Sequence, residues 1–179
     1  MNVPKRKPRA KPAASPSVAA PVARGVSIYN RQRKVALDRR AVGVFVGSLL
    51  EATGHAGEGL HVTFLNDAQM RELNRDTFGK DRTTNVISFP LDGVPGDEAP
   101  FLGDVIVSVD TALREATEAG MAPEERLAQL VIHGYMHILG YEHVEVDTAE
   151  RRRMQRAEKT AFVKVAETVF GRLLLLDNQ

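Results

Sequence analysis

The stretch HGYMHILGYEH at positions 133–143 places three of the chain's five histidines within eleven residues. His133 and His137 are four apart, and on a helix that spacing puts both imidazoles on one face about a turn apart. Gly140 suits the left-handed position that ends a helix, after which the chain can turn back and bring His143 to the same point. Three neutral imidazoles converging on one cation suit Zn²⁺, and three protein ligands leave a fourth position for water, the pattern of a catalytic zinc site rather than a structural one. Water held on such an ion can have its pKa lowered to about 7. The expected cofactor is therefore one Zn²⁺ on His133, His137 and His143 plus a water. His55 and His61 read as ordinary polar positions before and within a strand.

The spacing H-x3-H-x2-G-x2-H is also that of metzincin peptidases, with one part missing. A zinc peptidase carries a glutamate directly after the first histidine, as proton acceptor for the metal-bound water. Here that residue is Gly134, which removes the glutamate-assisted route to peptide hydrolysis. Glu142 beside His143 is a candidate substitute, but nothing on the helix aims it at the water. A phosphodiester suits such a site better. Its anionic oxygens bind a metal directly and need only a Lewis acid and water activator.

The elements that must carry these residues can be read from periodicity. VSIYN (26–30) is a short strand. From an Asp38 cap, Val42, Phe45, Val46, Leu49 and Leu50 recur at helical spacing up to Gly54. LHVTFLN (60–66) alternates as a strand, and Asn66 or Asp67 caps a helix carrying Ala68, Met70, Leu73 and Asn74. KDRTT (80–84) is polar loop, NVISFPL (85–91) a β-rich run, DGVPGDEAPFLG (92–103) turn chemistry, and DVIVSVD (104–110) a further strand, with Asp104 opening it after a glycine turn. The last two strands form an antiparallel hairpin. A helix follows from Thr111 to about Gly120, with Ala112, Leu113 and Ala116 inward. Another begins at Pro123 and runs through the histidines to Gly140. A last helix or helix pair covers about 147–173. The order β-α-β-α-β-β-α-α-α is that of a mixed α/β or α+β domain.

Composition bounds the rest. The 179 residues, 43% hydrophobic and 26% charged, suit one globular domain. No run approaches the roughly 18 apolar residues of a membrane span, and the expected address is cytoplasmic with no membrane partner. Without cysteine, disulfides are excluded and any metal must be held by histidine, carboxylate or water. Residues 1–25 read as a disordered basic tail rich in Pro and Ala, and 26–179 as the domain. Lys5, Arg6, Lys7, Arg9, Lys11 and Arg24 all fall in the first 26 positions, which hold no acid; setting those six aside leaves 18 basic against 23 acidic residues. Nucleic-acid binding by the domain would need a local basic patch, although such a tail can assist RNA binding by counterion release.

Three segments together resemble the YbeY family of endoribonucleases, the ribosomal RNA maturation factors. HGYMHILGYEH is similar to the family's H-G-x-x-H-[LI]-x-G-[YH]-[DE]-H. TTNVISFP (83–90) resembles P-T-[DN]-V-[LI]-S-F-P, with Thr83 in place of the proline. LGDVIVS (102–108) is similar to L-G-D-[IV]-x-I-[SC], and LNRDTFGKD (73–81) and Met154 with Glu158 add weaker matches. The likeness spans about 26–176. It implies an α+β single domain, a roughly four-stranded mixed sheet flanked by about five helices, with the metal at a helix–turn. It further implies a metal-dependent, single-strand-specific endoribonuclease in ribosomal RNA processing, including the 3′ end of the small-subunit RNA, and in ribosome quality control. Zinc on His133, His137 and His143 is the implied centre, and single-stranded ribosomal RNA and the ribosome or its small-subunit components are the implied partners. Where many relatives carry an aromatic–Arg pair, this chain has Thr77 and Phe78, so the usual phosphate-holding cation is absent from its place, and Arg75, Lys80 and Arg82 are the nearby candidates to cover its role.

Other candidate RNA contacts are Thr84 and Ser88, beside Thr83 and Asn85, which offer hydroxyl and amide donors near a strand start. Arg151, with Arg152, Arg153 and Arg156, is either a solvated helix face or an RNA-tracking patch beside the metal. Met154 reads as core. Two alternatives stay open on sequence: a zinc metallopeptidase with an atypical base, and a non-catalytic ribosome-assembly factor with a structural metal.

Overall fold

The computed structural model describes residues 25–91, 100–141, 148–169 and 174–175. Strands β1 (Val26–Asn30), β3 (Gly59–Leu65), β5 (Phe101–Ser108) and β4 (Val86–Pro90) lie side by side in that order. β1–β3 and β3–β5 are parallel, and β4 runs antiparallel to β5 as the hairpin expected from sequence. The helices are α1 (Arg39–Thr53), α2 (Asp67–Phe78), α3 (Val109–Ala119), α4 (Pro123–Ile138) and α5 (Thr148–Val169). Among the described residues, five helices on a four-stranded mixed sheet make an α+β domain, as the likeness implied. The tail falls almost wholly outside the described residues.

The caps explain the helix bounds. Asp38 accepts from the amides of Arg40 and Ala41, and Asn66 and Gln69 form a reciprocal capping box on α2. α3 starts earlier than its apolar periodicity indicates, because the Ser108 hydroxyl caps Thr111 N. The run DVIVSVD is consequently shared: β5 ends at Ser108, and Val109–Asp110 already belong to α3. At its other end β5 reaches back to Phe101, so Asp104 does not open the strand but sits within it, paired with His61 at 3.2 Å across β3. On α2, Met70 and Asn74 carry the buried face.

Periodicity also missed a second, two-stranded ladder. β2 (Ala36–Leu37) pairs antiparallel with β6 (Leu174–Leu175). Two residues per strand carry no period to detect. The ladder is decided by where the chain passes, with Leu37 inserted into the core.

α1 and α4 cover one face of the sheet, α3 packs beside α4, and α5 lies across α1 and α4 as an outer layer. Val62, Phe64, Val105 and Val107 point inward from the sheet, where Phe45, Leu49, Val131, Ile132 and Tyr135 meet them in the core. α5 is sealed to this layer by Met154, Ala161 and Val165, all buried.

At the carboxyl ends of β3 and β5, Asp67 ties four segments together. It accepts from Ser108 Oγ at 2.6 Å, Thr111 Oγ1 at 2.7 Å and Thr83 Oγ1 at 3.3 Å, and pairs with Arg114 at 2.7 Å. Burial alone would raise its pKa, but the hydrogen bonds from Ser108, Thr111 and Arg114, with the Arg114 charge, outweigh it and hold the carboxyl at about 2. A folded pKa below the unfolded value contributes stability that is present above pH ~4 and lost as pH falls toward ~2. With the side chain 28% exposed, solvent screening reduces the full linkage value to about 1–2 kcal/mol. Asp67→Asn is expected to lose that amount at neutral pH. Urea melts should then show the difference from wild type shrinking as pH drops below 4; a constant difference down to pH 2 would refute the linkage.

Candidate metal centre

α4 brings His133 and His137 together as their spacing requires. Their Nε2 atoms face each other at 3.2 Å, with the rings edge-on at a centroid distance of 4.7 Å. Tetrahedral zinc with Zn–N of about 2.0–2.1 Å sets neighbouring ligand nitrogens roughly 3.3 Å apart, so this separation fits two ligands of one ion.

The remaining nitrogen of His133 decides its chemistry. Nδ1 lies 2.6 Å from Glu158 Oε1 on α5. An ionised carboxylate only accepts, so a neutral His133 imidazole paired with it carries its proton on Nδ1 and turns its Nε2 lone pair toward His137. A carboxylate behind a histidine in this way fixes tautomer and ring orientation and raises ligand basicity. Nothing in the spacing of Glu158 gives it a role at the site; only the packing of α5 on α4 brings the two side chains together across 25 residues of chain.

The position also favours a cation. His137 lies in the last turn of α4, where the backbone carbonyls carry the negative end of the helix dipole. The helix closes with Leu139 N to Tyr135 O and Tyr141 N to Met136 O, and Gly140 takes the left-handed conformation at φ 81°. That conformation suits glycine and follows the helix end, where the sequence places it. His143 and Glu142 themselves lie outside the described residues, so among the described ones the potential ligands are two histidines.

Gly134 has a packing role. A Cβ there would sit 2.8 Å from Ser88 Oγ and Val105 Cγ1 and 2.9 Å from Val86 Cγ2. The position faces the sheet, and the missing side chain lets α4 lie directly on β4 and β5. Ser88 completes the contact by donating from Oγ to Gly134 O at 2.8 Å. Its hydroxyl proton is therefore engaged one residue from His133. Tyr135 is not a proton donor for the site either: its hydroxyl is buried against Thr53 Oγ1 at 2.8 Å, and burial pushes its pKa up to about 12.

The other candidate RNA contacts spread over two regions. Arg75 is exposed near the end of α2 beside Asp76, and Lys80 and Arg82 are exposed on the loop that follows. That loop is folded back on α2. Asn74 Nδ2 donates to Arg82 O at 2.8 Å, and Arg71 clamps Asp81 with two 2.8 Å bonds. Thr84 is half-buried just before β4, and Arg151 is exposed in the first turn of α5. Phe78 is exposed, its ring parallel to that of Phe89 on β4 at 6.3 Å. No helix among the described residues is long and apolar enough to cross a membrane.

The profile of the family described as Endoribonuclease YbeY matches residues 27–166. Endoribonuclease YbeY of Geobacter sulfurreducens is 45% identical over 139 residues, covering 76% of this chain and 93% of that protein. The Syntrophus aciditrophicus protein of the same name is 36% identical over 139 residues, covering 76% of this chain and 87% of its own length. In fold, the chain is similar to a Thermotoga maritima protein solved in solution, with a TM-score of 0.53 and 21% identity, covering 79% of this chain and 92% of that one.

Proposed function

Because the chain belongs to the YbeY family of endoribonucleases, we propose that it is a zinc-dependent endoribonuclease that cleaves single-stranded regions of ribosomal RNA during ribosome maturation and quality control. The observation that carries the metal part is the pair of Nε2 atoms 3.2 Å apart, with Glu158 committed to the far side of His133. His133 and His137 supply two ligands and His143 the third. Zinc held there would supply a Lewis acid toward a phosphate oxygen and a water of lowered pKa. Glu158 holds the His133 ring, Gly134 and Ser88 hold α4 against the sheet, and Arg75, Lys80, Arg82, Thr84 and Arg151 are the proposed contacts to RNA. The work is placed in the cytoplasm, on the ribosome or its small-subunit precursors.

The test is cleavage of a single-stranded ribosomal RNA fragment by purified protein, before and after chelation and with zinc restored. Cleavage should vanish on chelation and return with zinc. Cleavage that persists unchanged in the metal-free protein would sink the proposal.

A further inference from the structure

A cavity of about 620 Å³ opens on the flank of α5 away from the histidines. At 100° per residue, Arg153, Arg156, Thr160 and Lys164 fall on one stripe of α5, roughly 155° around the helix from Glu158. Met154, Ala161 and Val165, buried on α1 and α4, lie between the two. The cavity is thus separate from the metal centre, yet adjacent to it along the chain. Its lining residue Tyr141 is two residues before His143, within about 7 Å of extended chain.

The lining has two characters. Its floor is apolar, with Ala52, Met136, Leu139, Ala157 and Ala161. Its rim is cationic, with Arg153, Arg156 and Lys164, and hydroxyls come from Thr53 and Thr160. The Arg153 guanidinium lies 5.2 Å over the Tyr141 ring and 3.6 Å from Glu150 Oε1, and Lys164 Nζ donates to Ala52 O at 3.0 Å. His55 also lines the space; its Nδ1 is buried without a hydrogen bond, although Glu58 Oε2 is 3.2 Å away. The volume falls in the range of small-ligand pockets. A flat apolar body with a phosphate at its edge matches this lining, because guanidinium and tyrosine planes stack on bases while the rim cations meet phosphate oxygens.

We infer that this cavity is a second RNA subsite, binding a nucleotide of the substrate strand away from the cleaved bond. The inference rests on the ribonuclease reading for its ligand and on the cavity alone for its place. Half of the Arg151–Arg156 cluster thereby acquires a role. Arg153 and Arg156 grip phosphate, and single-stranded substrate is held at two points rather than one.

The experiment measures affinity for a fluorescent single-stranded RNA of about 12 nucleotides. It uses the full-length protein loaded with zinc under conditions that arrest cleavage. The double variant Arg153→Glu/Arg156→Glu should bind about tenfold or more weakly, and its slope of log K against log salt should fall by roughly 1.4, about 0.7 per lost phosphate contact. Arg153→Gln/Arg156→Gln should show the same direction with a smaller loss, and Arg39→Glu/Arg40→Glu, at the far end of α1, should bind like wild type. Uridine monophosphate should shift the amide resonances of Thr53, His55 and Thr160. Equal binding by the double variant and the Arg39/Arg40 control overturns the inference. So does a polyglutamate peptide of equal charge that displaces the RNA as well as unlabelled RNA does, since the cavity would then take acidic protein segments. Wild type that binds RNA through these arginines but never cleaves it would leave the subsite standing and remove the ribonuclease reading instead.

Discussion

His137→Ala should reduce cleavage of single-stranded RNA by at least about 100-fold, because even partners behind metal ligands typically cost 10–100-fold when removed. Zinc content of the purified variant should fall in parallel. The fold should survive, since His137 is only partly buried at the end of α4 and takes no part in the apolar core. Glu158→Gln gives the graded companion. Glutamine can still accept from Nδ1 through its carbonyl, but it lacks the charge that holds the proton on that side of His133. Zinc affinity should drop about 10–100-fold, with cleavage restored by excess zinc. Rescue of Glu158→Gln but not of His137→Ala identifies Glu158 as a positioning residue and His137 as a ligand. Full activity of metal-free His137→Ala would remove the histidine pair from the mechanism altogether.

Gly134→Glu, which restores the peptidase motif on paper, should produce an unstable protein and no peptidase. The new Cβ would fall under 3 Å from two valines and Ser88. The branched valines are stiff at χ1 and cannot move aside cheaply. Overpacking of this kind costs about 1–3 kcal/mol, and a carboxylate pressed against Val86 and Val105 adds a desolvation cost of several kcal/mol. A loss of about 3 kcal/mol or more corresponds to a fall in Tm of roughly 6–12 °C for a domain of this size. Gly134→Ala should lose less, because the gain in helix propensity of about 1 kcal/mol offsets part of the overpacking. Thermal melts of the three proteins check the order wild type, then Ala, then Glu; a Gly134→Glu protein that melts with wild type would show that α4 does not need the glycine to lie on the sheet. The same geometry bears on the peptidase alternative. The residue after His133 points into the sheet, so a glutamate there would not face the space between the imidazoles.

Much of the architecture was legible because it is local. Helix α1 announces itself through Asp38, a five-residue apolar stripe and Gly54, each acting within a turn or two of its neighbours. The pairing of His133 with His137 is equally local, since four residues on any α-helix put two side chains on one face. What periodicity misjudged was decided by a side-chain cap and by longer contacts. The Ser108 cap converts the end of an apolar run from strand to helix. Asp104 lies inside β5 because residues 101–103 pair with β3 and β4. The β2–β6 ladder joins segments about 138 positions apart, and two-residue strands carry no period of their own.

The sequence by itself determined the donor types, the helical spacing that aligns two of them, the glycine turn that follows, and the family. Those are properties of covalent order and of a single helix. Only the tertiary structure decided what stands behind and beneath them. Glu158 reaches His133 because α5 crosses α4, a contact no spacing rule predicts. Gly134 proved to be a packing residue, its Cβ position filled by Ser88, Val86 and Val105 from two strands of the sheet. The glycine that began as a missing base is the place where the metal helix touches its support, and that follows from volume in three dimensions, which the order of residues does not display.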